Sequence, residues 1–290
     1  MKLIALGDNS LDLYRNTGER FPGGNAVNVA VHAARQGAQA EYLGNLGTDE
    51  AAAVITAALQ AQGVAYGHCP VLPGRTTKVC VYDVTDGERR FVEVITGERW
   101  AGPIRLEPAH LALLAGADVV VSSCNAKLPG QLAAVEALAP LFAFDFGEKE
   151  KYRTAEYYDQ VCHGMDLAML SCAPMDEAAF GALCAPLHRR GVVHVLATMG
   201  TAGQMLSNGT QILRQQIRRV DARDTMGAGD SFLAAFLCSL QAAGWQKGRP
   251  MPEAPLRTAL EAGRRVSAEN CMQQGGFGTA ASPPEREGSA

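Results

Sequence analysis

The stretch with the most chemistry in it is Asp224-Thr225-Met226-Gly227-Ala228-Gly229-Asp230-Ser231-Phe232, where a polar run passes into an apolar one. Phe232, Ala235, Phe236, Ser239 and Leu240 recur at three- and four-residue spacing and Gly244 follows as a stop, so the apolar part reads as a helix. Gly227, Ala228 and Gly229 then fall at its N-terminus. Three consecutive backbone N–H groups with almost no side chains, at the positive end of a helix dipole, form a cradle for an anion. Asp230 would repel a resting phosphate, and a general base supplies a reason for its presence. It would take the proton of an attacking hydroxyl while the amides hold charge on the transferring phosphoryl group. An Asp that merely caps the first turn is the structural alternative.

A second glycine-led helix start is Phe21-Pro22-Gly23-Gly24-Asn25-Ala26-Val27-Asn28-Val29-Ala30. Gly23 and Gly24 let the backbone come close to a ligand, and Asn25 and Asn28 offer uncharged donors and acceptors for hydroxyls. In order and spacing the two stretches together resemble the paired signature motifs of the ribokinase/PfkB family of sugar kinases, over nearly the whole chain. Within that family the Gly-Asp-Asn start and the Asp-Thr-Met-Gly-Ala-Gly-Asp-Ser-Phe ending are most similar to fructoselysine 6-kinases.

The resemblance implies a ribokinase-like α/β sandwich over residues 1–290, with a mostly parallel central sheet and a small β lid. It implies ATP and Mg²⁺ as cofactors and a sugar as acceptor. By position it places Asp8, Asp12, Gly23, Gly24 and Asn28 at the sugar, with Asp12 accepting from a diol. Asn25 stands where many ribokinases carry Lys. Thr198, Gly200 and Gly203, in Thr198-Met199-Gly200-Thr201-Ala202-Gly203, match a nucleotide loop, to which Gly227 and Gly229 add phosphate contacts. Asn270 and Gly275-Gly276-Phe277-Gly278 match an adenine-side wall. Asp224 matches a position that holds K⁺ in some members, or else is a strand-end Asp without a chemical task. The usual Asn-x-x-Glu magnesium motif is missing at Ser171-Cys172-Ala173-Pro174-Met175-Asp176-Glu177, which leaves Glu177 or Asp176 to act through water or simply to open a helix. Other acceptors of the family stay open: ketohexoses, 2-keto-3-deoxygluconate, nucleosides and sugar phosphates. So does a catalytically silent sugar-binding regulator on the same scaffold.

The elements needed to position these residues are legible in outline. Leu3–Leu6 is a continuous apolar run ending at Gly7-Asp8-Asn9, the pattern of a buried parallel strand with a ligand crevice at its end. Similar runs at 118–122, 141–145, 166–170 and 192–197 alternate with helix-compatible segments, which predicts right-handed βαβ repetition. Ser122, Ser123, Asn125 and Asp145 fall at strand ends facing the crevice. Helices are expected over 27–36, 51–62 and 255–272, with Thr48 or Asp49 capping the second. Between 75 and 99, β-branched and aromatic residues around Asp86-Gly87 signal a hairpin. In the resembling family a lid sits here, often shared across a homodimer, with strands contributed by 11–20. Closing it would exclude water, the competing phosphoryl acceptor. Arg75, Arg89, Arg90 and Arg99 read as solvated, with one able to reach a substrate carboxylate.

Composition sets the outer limits. A chain of 290 residues with 47% hydrophobic content builds an ample core, and a formal charge of −4 offers no basic field for nucleic acid. No apolar run is long enough to span a membrane. Eight scattered cysteines without a Cys-x-x-Cys pair read as buried small residues in a reducing compartment, so the cytoplasm is the expected location. Gly-x-x-x-x-Gly-Lys-[Ser/Thr] and Gly-x-Gly-x-x-Gly are both absent, which argues against P-loop and Rossmann folds. The last residues, 283–290, read as a polar tail.

Overall fold

The computed structural model describes residues 1–85 and 88–280, so the Asp86-Gly87 turn and the tail lie outside the described residues. Its centre is an eight-stranded sheet. Strands β1 (Lys2–Leu6), β4 (Gln39–Leu43), β7 (Val119–Ser123), β8 (Leu141–Asp145), β9 (Leu167–Ser171) and β10 (His194–Thr198) are parallel. β11 (Gln204–Ser207) and β12 (Ile212–Gln215) extend one edge antiparallel. The spatial order is β12-β11-β10-β9-β8-β7-β1-β4.

Continuous apolar runs suit these strands because both faces are covered. Leu3 and Ala5 of β1 pack into one core with α1 (Asn25–Arg35), α7 (Ala228–Ala242) and α8 (Glu253–Asn270). Ile4 and Leu6, pointing the other way, pack into a second core with α3 (Pro108–Ala115), α4 (Pro129–Glu136), α5 (Ala155–Val161) and α6 (Glu177–His188). The result is the expected three-layer α/β sandwich. The five expected strand runs all form, and Asp49 caps α2 (Glu50–Ala61) by accepting from the Ala52 N–H at 3.1 Å. The edges differ from expectation. β10 is not the last strand, and β4, β11 and β12 lacked a signal because polar residues interrupt them. Glu41 of β4, for instance, is buried and paired with His68 at 2.5 Å.

A second, four-stranded sheet stands over the C-terminal ends of the parallel strands, in the order β3 (Arg20–Gly23), β2 (Ser10–Tyr14), β5 (Val79–Thr85), β6 (Glu88–Ile95). The 11–20 and 75–99 segments thus join in one sheet through the parallel β2–β5 pair. All eight cysteines are free and five of them are buried. Among the described residues no helix is long and apolar enough to cross a membrane.

Candidate active site

A cleft of about 270 Å³ opens between the two sheets, at the strand ends where open α/β sheets bind ligands. The starts of α1 and α7 both reach it. Gly24, with φ +105°, caps α1, and Gly227, with φ +69°, caps α7. These backbones are held by their neighbours. A methyl group on Gly24 would stand 2.7 Å from Asn9 Cα, and one on Gly227 would collide with the Gly276 carbonyl. Gly23 faces the Asp12 carboxylate just as closely.

Asp230 lies in the first turn of α7 and lines the cleft. Asn25 Nδ2 donates to its Oδ1 and Asn28 Nδ2 to its Oδ2, both at 2.7 Å. Two neutral amides therefore hold both oxygens of the carboxylate and fix its orientation. Asn25 also donates to Asp145 Oδ2 at 2.9 Å, which ties the end of β8 to the same network. Burial pushes the Asp145 carboxyl up to about 6, against the opposing pull of the Gly147 amide and Asn25. A lysine in place of Asn25 would put a cation between these two acids.

The three α7 amides expected to cradle an anion are not equivalent. The Ala228 N–H turns back to the Thr225 carbonyl at 3.2 Å, while those of Gly227 and Gly229 donate to no described residue. At Gly229 the backbone leaves little to collide with: a methyl group there would press on the buried Met169 side-chain tip at 3.3 Å, a tight contact that a small shift of that tip relieves.

On the opposite wall Ser10 Oγ donates to Asp12 Oδ1 at 2.8 Å, and both residues line the cleft. Asp8 is ion-paired with Lys78 at 2.7 Å. Burial alone would lower the Lys78 pKa, but the facing Asp8, with Cys80 and Asp12, outweighs it and the net shift is upward. Tyr82, Phe91 and Val94 of the small sheet close the roof. Lys78 was not anticipated, since its partner lies 70 residues away and the arginines drew the attention. Arg75, Arg90 and Arg99 are exposed and do not line the cleft.

The remaining expected residues lie elsewhere. Asn270 is buried, donates to the Met226 carbonyl at 2.7 Å and accepts from Gln273 at 2.8 Å, so it braces the turn before α7. Asp224 is fully buried and accepts from the Met226 N–H at 2.9 Å, the Gly275 N–H at 2.7 Å and the Tyr14 hydroxyl. A cation there would have to share or displace these donors. Thr198, Gly200 and Gly203 end β10 outside the cleft lining, and Gly203 packs on the Gln215 carbonyl. Glu177 is on the surface of α6, paired with Arg214 at 2.6 Å. Asp176 caps that helix. Asn125 lines the cleft, whereas the Ser122 and Ser123 hydroxyls are buried without a partner.

A carboxylate fixed beside helix-terminal amides, in a cleft roofed by a second sheet, is an arrangement suited to phosphoryl transfer to an alcohol. The sequence pattern of pfkB family carbohydrate kinases matches residues 1–143 and 165–282, and the chain belongs to that family. Among its relatives, "Fructosamine kinase FrlD" of Bacillus subtilis (strain 168) is 32% identical over 279 residues, covering 96% of this chain and 93% of its own. "Fructoselysine 6-kinase" of Escherichia coli (strain K12) is 32% identical over 255 residues, covering 88% and 93%. The fold matches fructokinase with bound ATP from Xylella fastidiosa, with a TM-score of 0.77, 18% identity and coverage of 95% and 94%. Ribokinase of Arabidopsis thaliana complexed with ribose and ATP gives a TM-score of 0.77 at 21% identity, covering 94% and 93%.

Proposed function

We propose that this kinase transfers the γ-phosphoryl group of ATP to a primary hydroxyl of a ketosamine, a sugar–amine adduct of the fructoselysine type. The observation that carries the reading is the Asp230 carboxylate, oriented by Asn25 and Asn28 beside the open amides of Gly227 and Gly229. The names of the two relatives supply the acceptor class. In the transfer, the acceptor oxygen bonds to the γ-phosphorus as the bond to the ADP oxygen breaks. Asp230 receives the hydroxyl proton and the amides balance charge on the moving group. Asp12, Gly24 and Asn28 orient the acceptor, while the small sheet acts as a lid that keeps water out.

Magnesium would be held through its water shell by the Asp145 and Glu148 carboxylates, which line the cleft, and would supply positive charge to offset that of the phosphates. The lid's edge strand β6 exposes Ile95, which is outside the cleft lining, and this supports a homodimer through the sheet, checked by sedimentation of wild type against Ile95→Lys.

A coupled assay of ADP release across fructoselysine, psicoselysine, fructose, ribose, ketodeoxygluconate, fructose phosphates and nucleosides tests the reading. The highest kcat/KM is expected for a ketosamine. A nucleoside or sugar phosphate in first place overturns the acceptor class, and no ADP with any sugar would identify a silent binding protein.

A further inference from the structure

Asp8 combines three features that the transfer step leaves unused. Its side chain is 10% exposed, its Oδ2 holds Lys78, and its Oδ1 is buried without a hydrogen-bond partner. A buried carboxylate oxygen left bare is costly, so a ligand donor is the expected remedy. Asp8 also stands at a junction. It lines the main cleft and, with Asn125, a smaller recess of about 20 Å³ walled by Trp100, Pro103 and Lys127. Lys127 Nζ lies over the Trp100 ring at 4.8 Å, and its backbone is left-handed at φ +56°, so that wall is a constrained one. The charge of the main cleft points the same way, since five carboxylates and two lysines line it. An acceptor that brings a positive charge offsets the excess, whereas a neutral sugar does not.

We propose that Asp8 Oδ1 accepts a hydrogen bond from the protonated secondary amine of a ketosamine, which makes Asp8 the residue that separates ketosamines from neutral ketoses. This rests on the acceptor class proposed above and adds the group that reads it. The sugar ring lies in the main cleft toward Asp230, the nitrogen stands at the junction, and the substituent on nitrogen begins at the recess. Lys78 holds the carboxylate in place and leaves its second oxygen for the ligand.

The test compares two fructose derivatives of equal length, 1-butylamino-1-deoxyfructose and 1-O-butylfructose, which differ in charge at the atom facing Asp8. Wild type should favour the amine by about 10-fold to 100-fold in kcat/KM, the scale of a hydrogen bond to a charged group. Asp8→Asn should bring that ratio close to one. Because Asp8→Asn strands a buried lysine, the double variant Asp8→Asn/Lys78→Gln is measured beside it and should give the same collapsed ratio. A ratio that survives in both variants overturns the role of Asp8 while leaving the acceptor class standing. A wild type that phosphorylates the ether but not the amine overturns both.

Discussion

α1 and α7 both start from a left-handed glycine and aim their first turns at one cleft, yet the first turn of α1 brings neutral amides and that of α7 a carboxylate. Around α1 the glycines answer to the protein: Gly23 and Gly24 abut Asp12 and Asn9. Around α7 the duty is divided. Gly227 answers to the Gly276 carbonyl, while a methyl group at Gly229 would meet only the tip of the Met169 side chain, at 3.3 Å, and no backbone. Gly229 lines the cleft, and in the proposed transfer the ligand, more than the fold, is what requires a glycine there. The two helix starts thus differ as scaffold and as chemistry, although their sequences look alike.

Substitutions can break this contrast, beginning with the largest effect. Asp230→Asn should lower kcat by about 10²-fold to 10⁴-fold, the range for loss of a general base, as read by ADP release. Gly24→Ala should cost roughly 2–5 kcal/mol in urea unfolding, through left-handed strain and the clash with Asn9. Gly229→Ala should change stability by less than about 1 kcal/mol yet reduce turnover by about 10²-fold, because the methyl displaces the phosphoryl group. If Gly229→Ala unfolded the protein and Gly24→Ala did not, the division between scaffold and chemistry would be reversed.

The effect that is smallest at neutral pH, and grows only as the pH falls, concerns the tie between α1 and the turn behind α7. His32 Nε2 lies 2.9 Å from the Gly276 carbonyl, and burial lowers its pKa from 6.5 to about 4. The unfolded chain therefore binds a proton that the folded one refuses. Stability from this group is complete above 6.5 and is lost as pH falls toward 4, at up to about 1.4 kcal/mol per unit. His194, also lowered to about 4, acts in the same direction, while Asp145 and Glu136, raised to about 6 and 7, act oppositely. Comparing the pH profile of unfolding with that of His32→Gln isolates the one histidine. A profile unchanged by His32→Gln would remove it from the account.

Much of this contrast was legible beforehand. β1 and β7 to β10 are buried on two faces, and that leaves unbroken apolar runs. The stretch 227–230 announces itself because few tasks call for bare amides beside an acid. What was not legible depends on residues far apart in the chain. Asn25 joins Asp145 and Asp230 across separations of 120 and 205 residues, and Lys78 meets Asp8 across 70. Asn270 and Asp224 were picked out by resemblance to family motifs, whereas the partners they have here, the Met226 carbonyl and the Met226 and Gly275 N–H groups, come from packing that the local sequence does not show. Glu177 illustrates the same limit, since nothing local reveals its pairing with Arg214, 37 residues on, at the surface.

The most direct measurement pairs two numbers from one preparation of Asp230→Asn: the dissociation constant for ATP by calorimetry and the turnover with a ketosamine acceptor. ATP affinity close to that of wild type with kcat reduced at least about 10²-fold is the predicted result. Turnover near the wild-type value would contradict the assignment of Asp230 as the base.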